Sequence, residues 1–191
     1  MPNALIEEAH ARLAVTLHAG DAVIDATVGN GHDTLHLAQC VGESGHVFGF
    51  DIQEPALART SKLLDEAGCA GRVQLFHANH EEMASYLPLS LKGSIGAAVF
   101  NLGYLPGGDK AIVTRAETTL TALDTAWSWL KESGLMTIVA YPGHAEGARE
   151  TQSVRMWIRD KHRTEGIAEE RHSEFASSDS PVLLIASKFT M

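Results

Sequence analysis

The chain has 191 residues, of which 45% are hydrophobic and 20% charged, and a net charge of −9. This fits one globular domain with a single sizeable core and excludes a disordered tail protein and a second catalytic domain. No apolar run approaches the roughly 18 residues of a spanning helix, and Glu7 and Glu8 stand where a secretory signal needs a cationic start and an apolar stretch, so the expectation is a cytoplasmic protein with no membrane partner. Cys40 and Cys69 form no CxxC pair, which predicts two buried thiols rather than a disulfide framework or a zinc site.

The charge argues against holding nucleic acid by general phosphate attraction, yet it is uneven. Residues 1–100 carry 5 basic and 12 acidic side chains, residues 101–191 carry 10 and 12. Arg149, Arg155, Arg159, Lys161 and Arg163 fall close together, so a polyanion would meet the C-terminal half first; the interleaved Glu146, Glu150 and Asp160 read as a solvated helix face.

Leu5, Ala9, Leu13 and Leu17 recur at helical spacing and predict an amphipathic helix over about 4–18, stopped near Gly20. A strand over Ala22–Ala26 follows, then the loop TVGNG and a helix over Asp33–Val41 closed by Gly42. His46–Phe50 is a second strand ending at Asp51; Pro55 suits the first turn of a helix that runs to about Ala67. Arg72–Phe76 and Ile95–Phe100 are the third and fourth strands. The loop NLGYLPGGDK separates the latter from a helix over about Arg115–Leu130. Leu135–Ala140 is a fifth strand and Ala145–Asp160 a helix. The last apolar segments, residues 163–172 and 182–187, have no helix between them and can pair antiparallel. The pattern predicts a doubly wound α/β domain spanning the chain: a mostly parallel, seven-stranded, Rossmann-like sheet with an antiparallel C-terminal hairpin.

Ligands of such sheets bind beyond the carboxyl ends of the strands, where the winding reverses. The first loop, DATVGNGHD, has glycines that allow close backbone approach, and the next helix offers free N–H groups. Its spacing, Gly29-x-Gly31-x-x-Thr34, lacks the third glycine of a dinucleotide loop, while Asp25 and Asp33 would repel a pyrophosphate. S-adenosylmethionine carries a sulfonium, an ammonium and a carboxylate but no phosphate, and fits better. Asp51 stands where an acid accepts both ribose hydroxyls. In HANHEE, Asn79 and His80 are candidates for the adenine, with a helix cap an equal use for Asn79.

The fourth strand ends in NLGYLP, similar to the NPPY tetrapeptide of amino-methylating enzymes, in which an amide and a backbone carbonyl accept hydrogen bonds from the target amine and an aromatic ring packs on the base. Asn101 and Tyr104 are accordingly candidate catalytic residues. His144, in YPGH, either lines the same pocket and accepts a proton or caps the next helix. His32 and His36 share the i, i+4 spacing of a metal pair, but no HExxH follows, and no metal is expected.

With DATVGNGHDT, FGFDIQ, NLGYLPGGDK and YPGHAEG in register, the chain resembles, over about residues 4–188, the YtqB-like family of bacterial rRNA methylases. The resemblance implies a class I S-adenosylmethionine-dependent methyltransferase. MnmM-type members methylate the amine of 5-aminomethyl(-2-thio)uridine at the tRNA wobble position, so the implied partner is tRNA, presented by its anticodon stem-loop. It implies that Asp25, Gly29, Asn30, Gly31 and Asp51 hold the cofactor, with Asn101, Tyr104 and His144 near the target base; Thr27, Asp33, Thr34, Gln53, Asn79 and His80 on the same loops complete the expected cofactor site. The segment SSDSPVLLIASK departs from the Asn-Pro-Pro-like segment of many relatives. An rRNA base or a small amine stays open as the acceptor, as does a non-catalytic cofactor-binding or assembly protein; a homodimer would add RNA-contacting surface.

Overall fold

The computed structural model describes residues 4–105, 107, 112–164, 166–172 and 177–188. Helix α1 (Ala4–Thr16) buries Leu5, Ala9 and Leu13 on one stripe and is followed by β1 (Ala22–Asp25), buried along its whole length. Then come α2 (His32–Val41), β2 (His46–Asp51), α3 (Glu54–Glu66) with Pro55 in its first turn, and β3 (Val73–His77). Two short 3-10 turns, His80–Ser85 and Leu89–Leu91, lead to β4 (Ile95–Asn101). The remainder is α4 (Ala116–Trp129), β5 (Leu130–Ala140), α5 (Ala145–Thr164), β6 (Gly166–His172) and β7 (Val182–Lys188).

The seven strands form one sheet in the order β3-β2-β1-β4-β5-β7-β6. The first five run parallel, and β7 lies antiparallel between β5 and β6. This is the doubly wound arrangement with the expected C-terminal hairpin. Because successive side chains leave a strand on opposite faces, the sequence alternation fills two cores. Ile24, Phe50, Phe100, Ile138 and Leu184 face a cluster with Leu123 and Trp127 of α4 and Trp157 of α5. Val23, Val47, Val99, Val139 and Leu183 face Leu13 of α1 and Leu37 of α2. Burying a side chain such as Leu13 stabilises the fold by about 2 kcal/mol.

The structure corrects several expectations. Strand β5 starts at Leu130, directly after α4 rather than at Leu135, because its first residues are irregular: the register against β4 shifts between Ile95 and Ala97, and Ser133 takes φ 63°. Cys69 is buried, but Cys40 only half so, its Sγ lying 3.5 Å from His36 Nε2. Glu150 is not on the solvated face of α5. It is 2% exposed, while Arg149 pairs with Glu117 and Arg155 binds Glu170 through Nε and Nη2 at 3.0 and 2.6 Å. Among the described residues no helix is long and apolar enough to cross a membrane.

The winding reverses at β1, with β2 on one side and β4 on the other, so the loops after β1 and β4 diverge above the sheet and open a crevice.

Candidate active site

Asp25, at the end of β1, is fully buried and folds the first loop over itself: Oδ1 accepts the Thr27 N–H at 3.1 Å and Oδ2 the Thr34 hydroxyl at 2.6 Å. Burial first, and the nearby Asp33 charge second, push its carboxyl up to about 7 against those two bonds. Gly31 caps α2 with φ 82°, and a Cβ there would lie 2.6 Å from Thr60 Oγ1. Only glycine lets α3 pack so near, and the cap offers no side chain to the first N–H groups of α2.

Asp51 joins the first and second loops. Its Oδ2 accepts the Gly29 N–H and its Oδ1 the Gln53 N–H, both at 2.8 Å. A carboxylate has about four lone-pair positions, so each oxygen keeps one. After β3, Asn79 Oδ1 accepts the Glu81 N–H at 3.3 Å, which gives Asn79 the cap. His80 is buried edge-on to Phe100, and its Nε2 has no hydrogen-bond partner among the described residues. Burial pushes it down to about 4, against a backbone hydrogen bond with Ala26, so the ring is neutral.

Beyond β4, the Asn101 N–H donates to Thr27 Oγ1 at 2.7 Å and its Nδ2 to Asp33 Oδ2 at 3.4 Å. Gly103 donates its N–H to Thr114 Oγ1 at 2.8 Å and accepts the Thr114 N–H at 3.0 Å; Tyr104, 42% exposed, bridges Val113. Under this strap lies Glu150, whose carboxylate accepts the hydroxyls of Thr114 at 2.7 Å and Thr119 at 2.6 Å. Desolvation raises its pKa above the ordinary range. Of NLGYLPGGDK, Pro106 and Gly108, Asp109 and Lys110 lie outside the described residues. His144 Nδ1 accepts the Gly147 N–H at 3.0 Å, the capping alternative; its Nε2 is buried with no partner among the described residues, and its ring lies 6.3 Å from that of Tyr104.

These loops border a cavity of about 920 Å³, lined by Thr27, Gly29, Asn30 and Asp33 after β1, Asp51 and Gln53 after β2, Asn79 and His80 after β3, Asn101 and Tyr104 after β4, and His144 after β5. Asp25, Gly31 and Thr34 do not reach its wall; they shape the first loop from beneath. Sequence reasoning missed three residues here. Glu7 and His10 of α1 line the cavity, and Glu150 braces the strap. No spacing rule finds them, because their partners are distant in sequence. Glu7, Asp33, Asp51 and Asp179 line this volume along with Arg115, an acidic balance that favours cationic ligands.

Residues 47–187 match the family described as "Putative rRNA methylase". The chain belongs to this family. It is 42% identical over 156 residues to the Arabidopsis thaliana protein named "tRNA (mnm(5)s(2)U34)-methyltransferase, chloroplastic", a match that takes in 78% of this chain and 56% of that protein. The chain thus spans little more than half that relative's length. Among solved structures, a "putative rRNA-methylase" from Clostridium thermocellum superposes with a TM-score of 0.90 at 37% identity, over 96% of this chain and 97% of that one. SMU.1697c of Streptococcus mutans, a "putative methyltransferase" in complex with SAH, gives 0.85 at 29% identity, over 99% and 100%. The fold is that of Rossmann-like methyltransferases.

Proposed function

We propose that the chain is an S-adenosylmethionine-dependent methyltransferase acting on the amine of 5-aminomethyl(-2-thio)uridine at the tRNA wobble position, in the cytoplasm, with the anticodon stem-loop as the presented element. The observation that carries this reading is the Asn101 side chain. With Nδ2 turned to Asp33, its carbonyl oxygen is left as a neutral acceptor in a cavity that Tyr104 also lines, which is what a nucleophilic amine needs for alignment.

The cavity fits the cofactor in three places. Asp51 keeps an acceptor position on each oxygen for two ribose hydroxyls, the uncapped start of α2 suits a carboxylate, and His80 Nε2 lacks a partner that an adenine edge could supply. Gly29, Asn30, Gln53 and Asn79 complete the wall, and Asp33 adds negative charge for a cation. S-adenosylmethionine supplies an electrophilic methyl group on a sulfonium. On that methyl group the amine lone pair would form the N–CH3 bond as the S–CH3 bond breaks with its electron pair staying on sulfur, and the alkylated nitrogen would release its proton to water. Asn101 orients that lone pair, Tyr104 packs on the base, and His144 stands near enough to Tyr104 to line the acceptor's side. The name of the Arabidopsis relative supports tRNA as the partner. A homodimer would extend the surface available to it.

In a calorimetric titration S-adenosylmethionine should bind and NAD should not. Labelled methyl should pass to tRNA lacking the final methyl group, and Asn101→Ala should lower that turnover about a hundredfold while cofactor affinity survives. Near wild-type turnover by Asn101→Ala makes the strap purely structural.

A further inference from the structure

Helix α1 is more than a lid on one face of the sheet. His10 projects into the cavity wall, and its Nε2 lies 2.6 Å from Asp33 Oδ1. The other oxygen of the same carboxylate holds the Asn101 Nδ2 at 3.4 Å. A carboxylate only accepts, so His10 Nε2 must carry the hydrogen, and the Asn101 amide must turn its NH2 and not its oxygen toward Asp33. The His10 ring is held in turn: it stacks on His36 at 4.0 Å with the planes 7° apart, and His36 Nε2 lies 3.1 Å from the His10 carbonyl oxygen. The chain His10–Asp33–Asn101 therefore runs from α1 through the first turn of α2 to the end of β4.

We infer that His10 is a positioning residue for methyl transfer, acting through Asp33 to fix the Asn101 carboxamide with its carbonyl oxygen presented to the acceptor amine. This rests on the amine-methyltransferase reading above. Without the His10 donor, Asp33 can swing away from Asn101, the amide loses its single orientation, and the amine meets a carbonyl in a fraction of encounters. Removing an orienting group costs turnover rather than ground-state binding.

The test compares His10→Ala and His10→Gln with wild type in the full chain. In methyl transfer to tRNA carrying the unmethylated amine, His10→Ala lowers kcat tenfold or more, with KM for tRNA and Kd for S-adenosylmethionine within twofold of wild type. His10→Gln, which restores an N–H at similar reach, recovers a substantial part of kcat. A parallel loss of kcat, cofactor affinity and Tm, without rescue by glutamine, overturns the inference in favour of a structural role for α1; so does an unchanged kcat in His10→Ala. Independently of turnover, the side-chain amide resonances of Asn101, assigned by their loss in Asn101→Ala, shift in His10→Ala and move back toward their wild-type positions in His10→Gln. Resonances that stay in place overturn the coupling. A wild-type chain that transfers no methyl group to any amine defeats the enzymatic reading instead, and the resonance experiment still decides whether His10 orients Asn101.

Discussion

Asp25 and His80 face each other's territory in pH. Asp25, raised from 3.8 to about 7, keeps a proton in the folded chain across a range where the unfolded chain has released it, so its contribution to stability falls as pH rises through that window. His80, lowered from 6.5 to about 4, does the opposite: between those values the unfolded chain holds the extra proton, and stability rises with pH. Asp25→Asn removes the first effect and leaves the second. Urea unfolding at several pH values should show the variant gaining stability relative to wild type as pH rises from about 4 to 7; a difference that does not vary with pH contradicts the assignment. At Asp51, alanine should weaken S-adenosylmethionine binding by more than about 1.5 kcal/mol in a calorimetric titration, since a charged acceptor for two hydroxyls is lost and the Gly29 and Gln53 N–H groups lose their anchor. Unchanged affinity would leave Asp51 as a loop clamp only. Asp51 was legible in the sequence because it ends a strand. Glu150 was not, because it sits among Glu146 and Arg149 and reads as surface; only Thr114 and Thr119, brought over by the strap and α4, make that position a buried acceptor.

At the scale of elements, Glu150 ties α5 to the strap that carries Tyr104. Replacing it with alanine leaves two threonine hydroxyls without their acceptor and opens a void, so Tm should fall by several degrees. KM for tRNA should rise more than Kd for the cofactor, because the strap and not the first loop is loosened; a wild-type Tm would contradict this brace. Helix α5 also bears the arginines suited to phosphate. Arg155 is engaged by Glu170 on β6 and belongs to the fold, whereas Arg159 is exposed. Replacing Arg149 and Arg159 with alanine should weaken tRNA binding and flatten its salt dependence without changing cofactor affinity. An identical salt slope would make this face ordinary solvated surface. The alternation of strands and helices was readable because each strand is a short apolar run bounded by turn residues. The early start of β5 was not: α4 passes into it without a break, and the residues from Lys131 to Gly134 carry no strand pattern.

At the scale of the molecule, the parallel sheet and its final hairpin follow from the order of elements, and the crevice follows from where the winding turns. The wall supplied by α1 does not follow, because its contacts span long separations in sequence, such as His10 with Asp33 and Arg12 with Glu169. The same reach gives the acidic cavity its character. A net charge of −9 with carboxylates around the crevice favours cationic ligands there, and on the proposed function RNA is drawn by a local basic surface. Purified chain, S-adenosylmethionine, and separate tRNA and ribosomal RNA fractions lacking the modification should be incubated and digested, and the nucleosides weighed by mass spectrometry. A gain of one methyl mass on 5-aminomethyl(-2-thio)uridine from tRNA and none on ribosomal nucleosides is the expected outcome; methylation confined to ribosomal RNA, or no methylated nucleoside in either fraction, would contradict the proposed function.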